Sequence, residues 1–226
     1  MALSLLGCGL LFDIDGTLAE TDHLHMRAFN DVMSQFGVRV DDEGYKRGVM
    51  GRTNAAIFAE FLPRESAQMQ LQVADAKEAA FRALAGAEIA PAKGLTELLA
   101  WAERSGVPCA CVTNAPRPNA ELILNGINLR ERFPVLVIAD DLAHGKPHPL
   151  PYLTGAERIG ADPKKCIAFE DSRSGVKSAA TAGAATVGMM TGLDEATLKE
   201  AGAVLAVRDF TDPRIRALID ATFRQA

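Results

Sequence analysis

The stretch Leu10-Leu11-Phe12-Asp13-Ile14-Asp15-Gly16-Thr17-Leu18 combines an apolar run with two closely spaced acids. Apolar residues dominate from Leu5 to Phe12, and such a run predicts a strand covered on both faces, as in a parallel sheet. Gly16 ends the strand, and alternation along it places Asp13 and Asp15 on the same side. Two carboxylates so close repel each other unless a divalent cation lies beside them. The stretch therefore predicts a strand that carries acid groups into a binding site.

The composition is typical of a globular protein with one core and a small second lobe. The chain has 226 residues, of which 48% are hydrophobic and 23% charged. Its net charge of -5 argues against a nucleic-acid or anionic-membrane partner, because both require clustered basic residues. Without an apolar run long enough for a membrane span, we expect a soluble, cytoplasmic protein.

The four cysteines are interpreted as core residues. They all lie in apolar runs, at Cys8, Cys109, Cys111 and Cys166. Free cysteine is among the most buried residue types. Cys109 and Cys111 have no second pair at ligand spacing, so we expect no zinc site.

Residues 18–90 have a helical pattern throughout. Apolar residues recur at helical spacing from Leu24 to Phe36 and stop at Gly37, and further helices are expected over 53–61 and 66–84. We expect an all-helical cap inserted directly after the first strand.

From Gly94 onward, helices and strands alternate. Strands are expected over 107–113, 135–139, 166–169, 184–189 and 203–207. The predicted fold class is α/β, with a doubly wound parallel sheet and helices on both faces. Residues 1–17 and 91–226 form this Rossmann-like core, and residues 18–90 form the cap. Ligands bind beyond the carboxyl ends of such strands, so the cap covers the binding edge.

Polar residues stand where the expected strands end, and they are Asp13 and Asp15, Thr113 and Asn114, and Glu170 and Asp171. Lys146 lies in the loop 145–149, whose two prolines stiffen the backbone. This set supplies carboxylates for a cation, and a hydroxyl and an ammonium group for a phosphate. The plain alternatives are that Thr113 and Asn114 close a turn, and that Lys146 is a solvated surface residue.

The ordered set resembles the four motifs of the haloacid dehalogenase superfamily, carried by Asp13-Ile14-Asp15-Gly16-Thr17, Thr113-Asn114, Lys146 and Glu170-Asp171. The resemblance spans almost the whole chain, with each motif at an expected strand end or loop. It is closest to members with a helical cap after the first motif. These include phosphoglycolate phosphatases, sugar-phosphate phosphatases and β-phosphoglucomutase.

The resemblance implies a role for each motif. Asp13 is the nucleophile that forms an aspartyl-phosphate, and Asp15 is the general acid and base. Mg²⁺ is held by Asp13, the main-chain carbonyl of Asp15, and Asp171, with Glu170 in or near the shell. Phosphoryl oxygens are bound by Thr113, Asn114 and Lys146.

The implied function is a Mg²⁺-dependent phosphatase acting on a small phosphorylated metabolite, a sugar phosphate or phosphoglycolate. The protein is expected to be a monomer or weak dimer. A phosphohexomutase is the alternative, and a catalytically inactive binding protein is a third hypothesis. Dehalogenases of the superfamily need neither a metal nor a second acid, and Asp15 with the pair Glu170-Asp171 disfavours that reading.

Four residues outside the motifs are candidates for substrate contact: His25, Arg52, Lys77 and Arg117. His25 and Lys77 resemble cap residues of β-phosphoglucomutase. Their alternatives are packing on an apolar stripe for His25 and a solvated helix surface for Lys77 and Arg117. Asn54 stands where the mutase resemblance expects an arginine, which weakens the mutase hypothesis.

Overall fold

The computed structural model describes residues 5–85 and 89–224. Its sheet has six strands in the order β3-β2-β1-β4-β5-β6, and every pairing is parallel. The strands are β1 Gly9–Phe12, β2 Cys109–Thr113, β3 Val135–Ile138, β4 Cys166–Glu170, β5 Ala185–Met189 and β6 Leu205–Val207. The predicted doubly wound α/β class is confirmed.

Both faces of the sheet are buried, because alternate residues of β1 enter different apolar clusters. Leu10 and Phe12 belong to one cluster, and Leu11 belongs to the other. The Phe12 ring stacks on Phe169 of β4, with 4.9 Å between the ring centroids. The helices that cover the sheet are α5 Leu95–Arg104, α6 Arg117–Gly126, α7 Leu150–Arg158, α8 Arg173–Ala182, α9 Glu195–Ala201 and α10 Pro213–Arg224.

The first strand is shorter than expected. The prediction that it begins at Leu5 is wrong, because β1 begins at Gly9. Gly7 adopts a φ of 78°, and the Cys8 N–H donates to the Leu5 carbonyl, so residues 5–8 form a turn. Turn geometry of this kind overrides an apolar run in the sequence.

The segment between β1 and α5 is helical, as expected, and has an apolar cluster of its own. Its helices are α1 Asp22–Met33, α2 Asp42–Gly48, α3 Asn54–Phe61 and α4 Ala67–Leu84. The cluster includes Phe29 of α1, Ile57 of α3 and Val73 of α4. Thr53 and Ser66 cap α3 and α4 by accepting from backbone N–H groups, so these helices begin where their sequences predict.

Backbone groups of the cap contact the core on both sides of the binding edge. The two connecting segments run side by side, where the Ala92 N–H donates to the Leu18 carbonyl over 2.8 Å. On the far side, the Gly51 carbonyl accepts from Asn114 Nδ2 at 3.0 Å and from Ser174 Oγ at 2.5 Å. No helix among the described residues combines the length and apolarity that a membrane crossing needs.

Candidate active site

The polar strand ends meet at one edge of the sheet, beneath the cap. The strand order reverses between β1 and β4, and crevices at such points are where open α/β sheets bind ligands. A cavity of about 60 Å³ lies there. The expected residues that line it are Asp13, Asp15, His25, Arg52, Lys77, Thr113, Asn114, Lys146 and Asp171.

Three buried acids lie together, and two of them contact the ammonium group of Lys146. Asp13, Glu170 and Asp171 each place one carboxylate oxygen within 4.8 Å of the others. Lys146 Nζ lies 2.5 Å from Asp13 Oδ1 and 2.5 Å from Glu170 Oε1. Lys146 is therefore not the solvated residue of the alternative interpretation. It neutralises only part of the charge that these acids bring together.

Burial and the negative charge that Lys146 does not neutralise raise the pKa values of Asp13 and Asp171. Burial raises the pKa of Asp13 well above its ordinary value; Lys146 opposes this shift, and the nearby Glu170 and Asp15 increase it. Burial, with the charges of Asp22 and Asp13, does the same to the pKa of Asp171. Oxygen donors that repel one another in this way suit a hard divalent cation, which would restore their ionised form.

Glu170 is held in place by three side chains. It is fully buried, and its carboxylate accepts from Lys146, from the Tyr152 hydroxyl at 2.7 Å and from Ser172 Oγ at 3.2 Å. Gly175 leaves it room, because a Cβ there would come within 2.0 Å of the carboxylate. Glu170 therefore fixes Lys146 from behind the cavity wall.

Asp15 lies in the same cavity, but its carboxylate turns away from the other acids. Thr21 Oγ1 donates to Asp15 Oδ1 at 2.6 Å, and His25 Nε2 lies 3.0 Å from the same oxygen. Burial raises the pKa of Asp15, yet His25 and the hydrogen bonds from His25 and Thr21 outweigh burial and leave the pKa lowered. Of the two aspartates that follow β1, Asp13 therefore contacts Lys146 and Asp15 contacts His25 of the cap.

Two cap residues form a chain of hydrogen bonds that leads from Asp15 to His25 and then to Lys77. The His25 ring stacks on Phe81 with 3.7 Å between ring centroids, and Lys77 Nζ lies 3.2 Å from His25 Nδ1. An ammonium group only donates, so Nδ1 accepts and Nε2 carries the proton given to Asp15. Lys77 is buried, with 5% of its surface exposed, so the solvated alternative is wrong.

Thr113 and Asn114 are engaged within the protein. Thr113 Oγ1 accepts from the Ala115 N–H at 2.9 Å, as the turn-closing alternative expects. Asn114 Oδ1 accepts from the Lys146 N–H, and its Nδ2 donates to the Gly51 and Lys146 carbonyls. Both amide atoms of the Asn114 side chain thus contact Lys146 and the cap in this structure, and its phosphate contact stays a prediction.

The two arginines are not brought to the centre of the site. Arg52 lines the cavity, but its guanidinium group donates to Glu60 and to the carbonyls of Gly48 and Ala56. Arg117 pairs with Asp141 over 2.6 Å, and about half of its side chain is exposed. The substrate contact expected of Arg117 stays a prediction, since in this structure its guanidinium group pairs with Asp141 in the turn after β3.

Several residues of the site escaped the sequence interpretation, and they are Asp22, Tyr45, Glu78, Tyr152 and Ser172. A signal for Glu78 existed. Val73, Lys77 and Phe81 follow one another at four-residue spacing, as do Ala74 and Glu78, and all five are buried on α4. Charged residues that interrupt an apolar helix face indicate a buried polar site. Tyr152, distant in sequence from Glu170, carried no such signal.

The chain is similar to known proteins over most of its length. Residues 10–189 match the family model of the haloacid dehalogenase-like hydrolases. The protein CbbY of Cereibacter sphaeroides is 36% identical over 184 residues, which are 77% of this chain and 80% of CbbY. A phosphorylated carbohydrates phosphatase of Thermotoga maritima is 31% identical over 205 residues, 88% of this chain and 93% of that protein.

A solved structure shows the same fold at a similar level of identity. It is a variant of CbbY from Rhodobacter sphaeroides in complex with xylulose-(1,5)bisphosphate. The TM-score is 0.79 and the identity 29%, with 90% of this chain and 95% of that chain covered. By the family match over residues 10–189, the chain belongs to the haloacid dehalogenase-like hydrolases.

Proposed function

We propose that this hydrolase is a Mg²⁺-dependent phosphatase of small sugar phosphates or phosphoglycolate, and that it works through an aspartyl-phosphate on Asp13. One observation carries the proposal: Asp13, Glu170 and Asp171 are buried and place carboxylate oxygens within 4.8 Å of one another, and Lys146 contacts two of them. The similarity to a phosphorylated carbohydrates phosphatase supports the substrate class.

Asp13 is the nucleophile in this proposal. A carboxylate oxygen of Asp13 attacks phosphorus, and the bond between phosphorus and the leaving alkoxide breaks. Asp13, Asp171 and the main-chain carbonyl of Asp15 would hold Mg²⁺, with Glu170 beside them. When bound, the ion neutralises phosphoryl oxygens and keeps Asp13 ionised. Lys146 and Thr113 contact the remaining phosphoryl oxygens.

Asp15 moves the protons. It donates one to the leaving alkoxide, and in the second step it accepts one from the water that attacks the aspartyl-phosphate. Inorganic phosphate then leaves and Asp13 is restored. The lowered pKa of Asp15 suits the second step. For the first, the negative charge of a phosphate in the cavity favours the protonated form.

A panel of phosphomonoesters tests the proposal. It includes hexose phosphates and phosphoglycolate, each assayed for phosphate release with Mg²⁺ and with a chelator, and with and without a hexose bisphosphate primer. We expect release that requires Mg²⁺ and is lost in Asp13→Asn. Conversion of a sugar 1-phosphate to the 6-phosphate in the presence of the primer, with little free phosphate, would establish the mutase instead. No release from any ester would overturn the proposal.

A further inference from the structure

Glu78 places a buried carboxylate in the wall of the cavity, on the cap side. It lies on α4 with 5% of its surface exposed. Lys77 Nζ donates to Oε1 at 2.9 Å and Asn54 Nδ2 donates to the same oxygen at 2.8 Å. Asn119 Nδ2, from α6 of the core, donates to Oε2 at 2.6 Å. The carboxylate is thus fixed by residues of both the cap and the core.

Glu78 is held in its ionised form. Burial raises the pKa of its carboxyl, but the charge of Lys77 and the hydrogen bonds from Lys77 and Asn54 outweigh it, so the pKa is lowered. A carboxylate offers about four acceptor positions. Described residues fill three of them, and one is left for a donor from a ligand.

The basic groups around the cavity are already paired. Lys77 lies against Glu78, Arg52 against Glu60, and Lys146 against Asp13 and Glu170. Acids outnumber lysines and arginines in the cavity wall, where the five carboxylates are Asp13, Asp15, Asp22, Glu78 and Asp171 and the lysine and arginine side chains are Arg52, Lys77 and Lys146. A divalent cation offsets this excess of negative charge, and one phosphate group then adds its own.

We propose that Glu78 makes the cap side of the cavity a subsite for hydroxyl groups that rejects a second anion. This inference rests on the proposed phosphatase function and deepens it. The substrate is a monophosphate ester of an uncharged polyhydroxy compound, ahead of phosphoglycolate, whose far end is a carboxylate, and ahead of any bisphosphate. A related CbbY variant binds xylulose-(1,5)bisphosphate, so this fold can accept a second phosphate group. In the present protein, Glu78 would repel that group.

Asn54 supports the assignment. Its Nδ2 reaches Glu78 from the first residue of α3, at the edge of the cap loop that meets the core. An arginine there would give a second phosphate a cation, whereas an amide and a carboxylate together favour neutral hydrogen-bonding groups. The Asn54–Glu78 contact therefore sets the preference at the position where the mutase hypothesis requires a basic residue.

The test compares fructose 6-phosphate, fructose 1,6-bisphosphate and phosphoglycolate as substrates of the wild-type protein, Glu78→Gln and Asp75→Asn. Asp75 is exposed on the same helix, so Asp75→Asn removes the same charge away from the cavity. We expect the wild type to prefer the monophosphate over the bisphosphate by about tenfold or more in kcat/KM. Glu78→Gln reduces that ratio by about tenfold, and Asp75→Asn leaves it unchanged.

A binding measurement separates this inference from the proposed function. Calorimetry with Asp13→Asn and Mg²⁺ compares the affinities of the three esters without turnover, and the monophosphate is expected to bind most tightly. If no ester is hydrolysed but this order of affinity holds, the phosphatase proposal fails and the subsite stands. Equal or tighter binding of the bisphosphate, or a kcat/KM ratio that Glu78→Gln leaves unchanged, overturns the subsite.

Discussion

Glu78 also links the stability of the protein to pH. Because folding lowers the pKa of this carboxyl, its ionised form contributes stability above the ordinary value of 4.5, and the contribution is lost as pH falls through the folded-state value. Glu78→Gln leaves Lys77 without its buried partner, so we expect a loss of about 3 kcal/mol in the free energy of unfolding at pH 7. Urea unfolding measures this difference.

The difference between the two proteins is expected to shrink at pH 4, where the wild type has lost part of the contribution and the amide has not changed. Asp75→Asn is the control and should change the free energy of unfolding by less than about 0.5 kcal/mol. A Glu78→Gln difference of the same size at both pH values would show that the carboxylate charge is not its cause.

Tyr152 supports Glu170 from α7. Its hydroxyl donates to Glu170 Oε1 at 2.7 Å, and the residue is fully buried. Tyr152→Phe removes a hydrogen bond to a charged group, so we expect a loss of about 2 kcal/mol in the free energy of unfolding. In a Glu170→Gln background the same change should cost about 1 kcal/mol less. Equal costs in both backgrounds would mean that the two side chains do not act together.

At the scale of single elements, the start of α8 depends on a missing side chain. A Cβ at Gly175 would lie 2.0 Å from the Glu170 carboxylate, which Lys146, Tyr152 and Ser172 hold in place. Gly175→Ala is therefore expected to lower the free energy of unfolding by about 3 kcal/mol and to displace Lys146. Urea unfolding and phosphatase assays measure the two effects.

Gly126 offers a matched control for this substitution. It is the last residue of α6, and a Cβ there would meet nothing within 4 Å. Gly126→Ala is expected to stabilise the protein by up to about 1 kcal/mol, because alanine loses less conformational freedom than glycine in a helix. If the two substitutions had the same effect, contact with Glu170 would not be the reason for Gly175.

The sequence predicted most elements because their local signals agree with the tertiary structure. The strands β2 to β6 are apolar runs bounded by turns, and Thr53 and Ser66 mark their helices as N-caps. Helix α2 was missed because its seven residues, DEGYKRG, include two glycines and one buried large side chain, Tyr45. Its stability comes from packing that the sequence alone does not show.

The candidate site was predictable to a similar degree. The motif residues Asp13, Lys146 and Asp171 follow strand ends or a stiff loop, and parallel strands bring such positions to one edge. The contacts of Asn114 and Arg117 were not predictable, because a partner such as Asp141 is fixed only by the folded chain. Contacts between the cap and the core carry no periodic signal.

The cavity between the cap and the core is small in this conformation. Its volume of about 60 Å³ holds roughly four water molecules. That space takes a phosphate group and leaves little for a sugar, while the Gly51 carbonyl bonds to Asn114 and Ser174 hold the cap against the core. We therefore expect substrate to enter when these contacts open, with the two connecting segments, residues 18–20 and 90–93, as hinges.

Limited trypsin digestion measures this movement at Lys93, which is exposed and lies within the second hinge. Opening loosens the hinge, so Ser174→Ala, which removes one bond to Gly51, is expected to speed cutting after Lys93 by a few fold. A phosphate mimic such as vanadate, added with Mg²⁺, holds the cap closed and slows it. Arg64, exposed between α3 and α4 and away from the hinges, should be cut at the same rate in every case. Cap closure is expected to protect the hinge at Lys93. An equal rate of cleavage after Lys93 with and without vanadate would therefore mean that the cap does not close on its ligand.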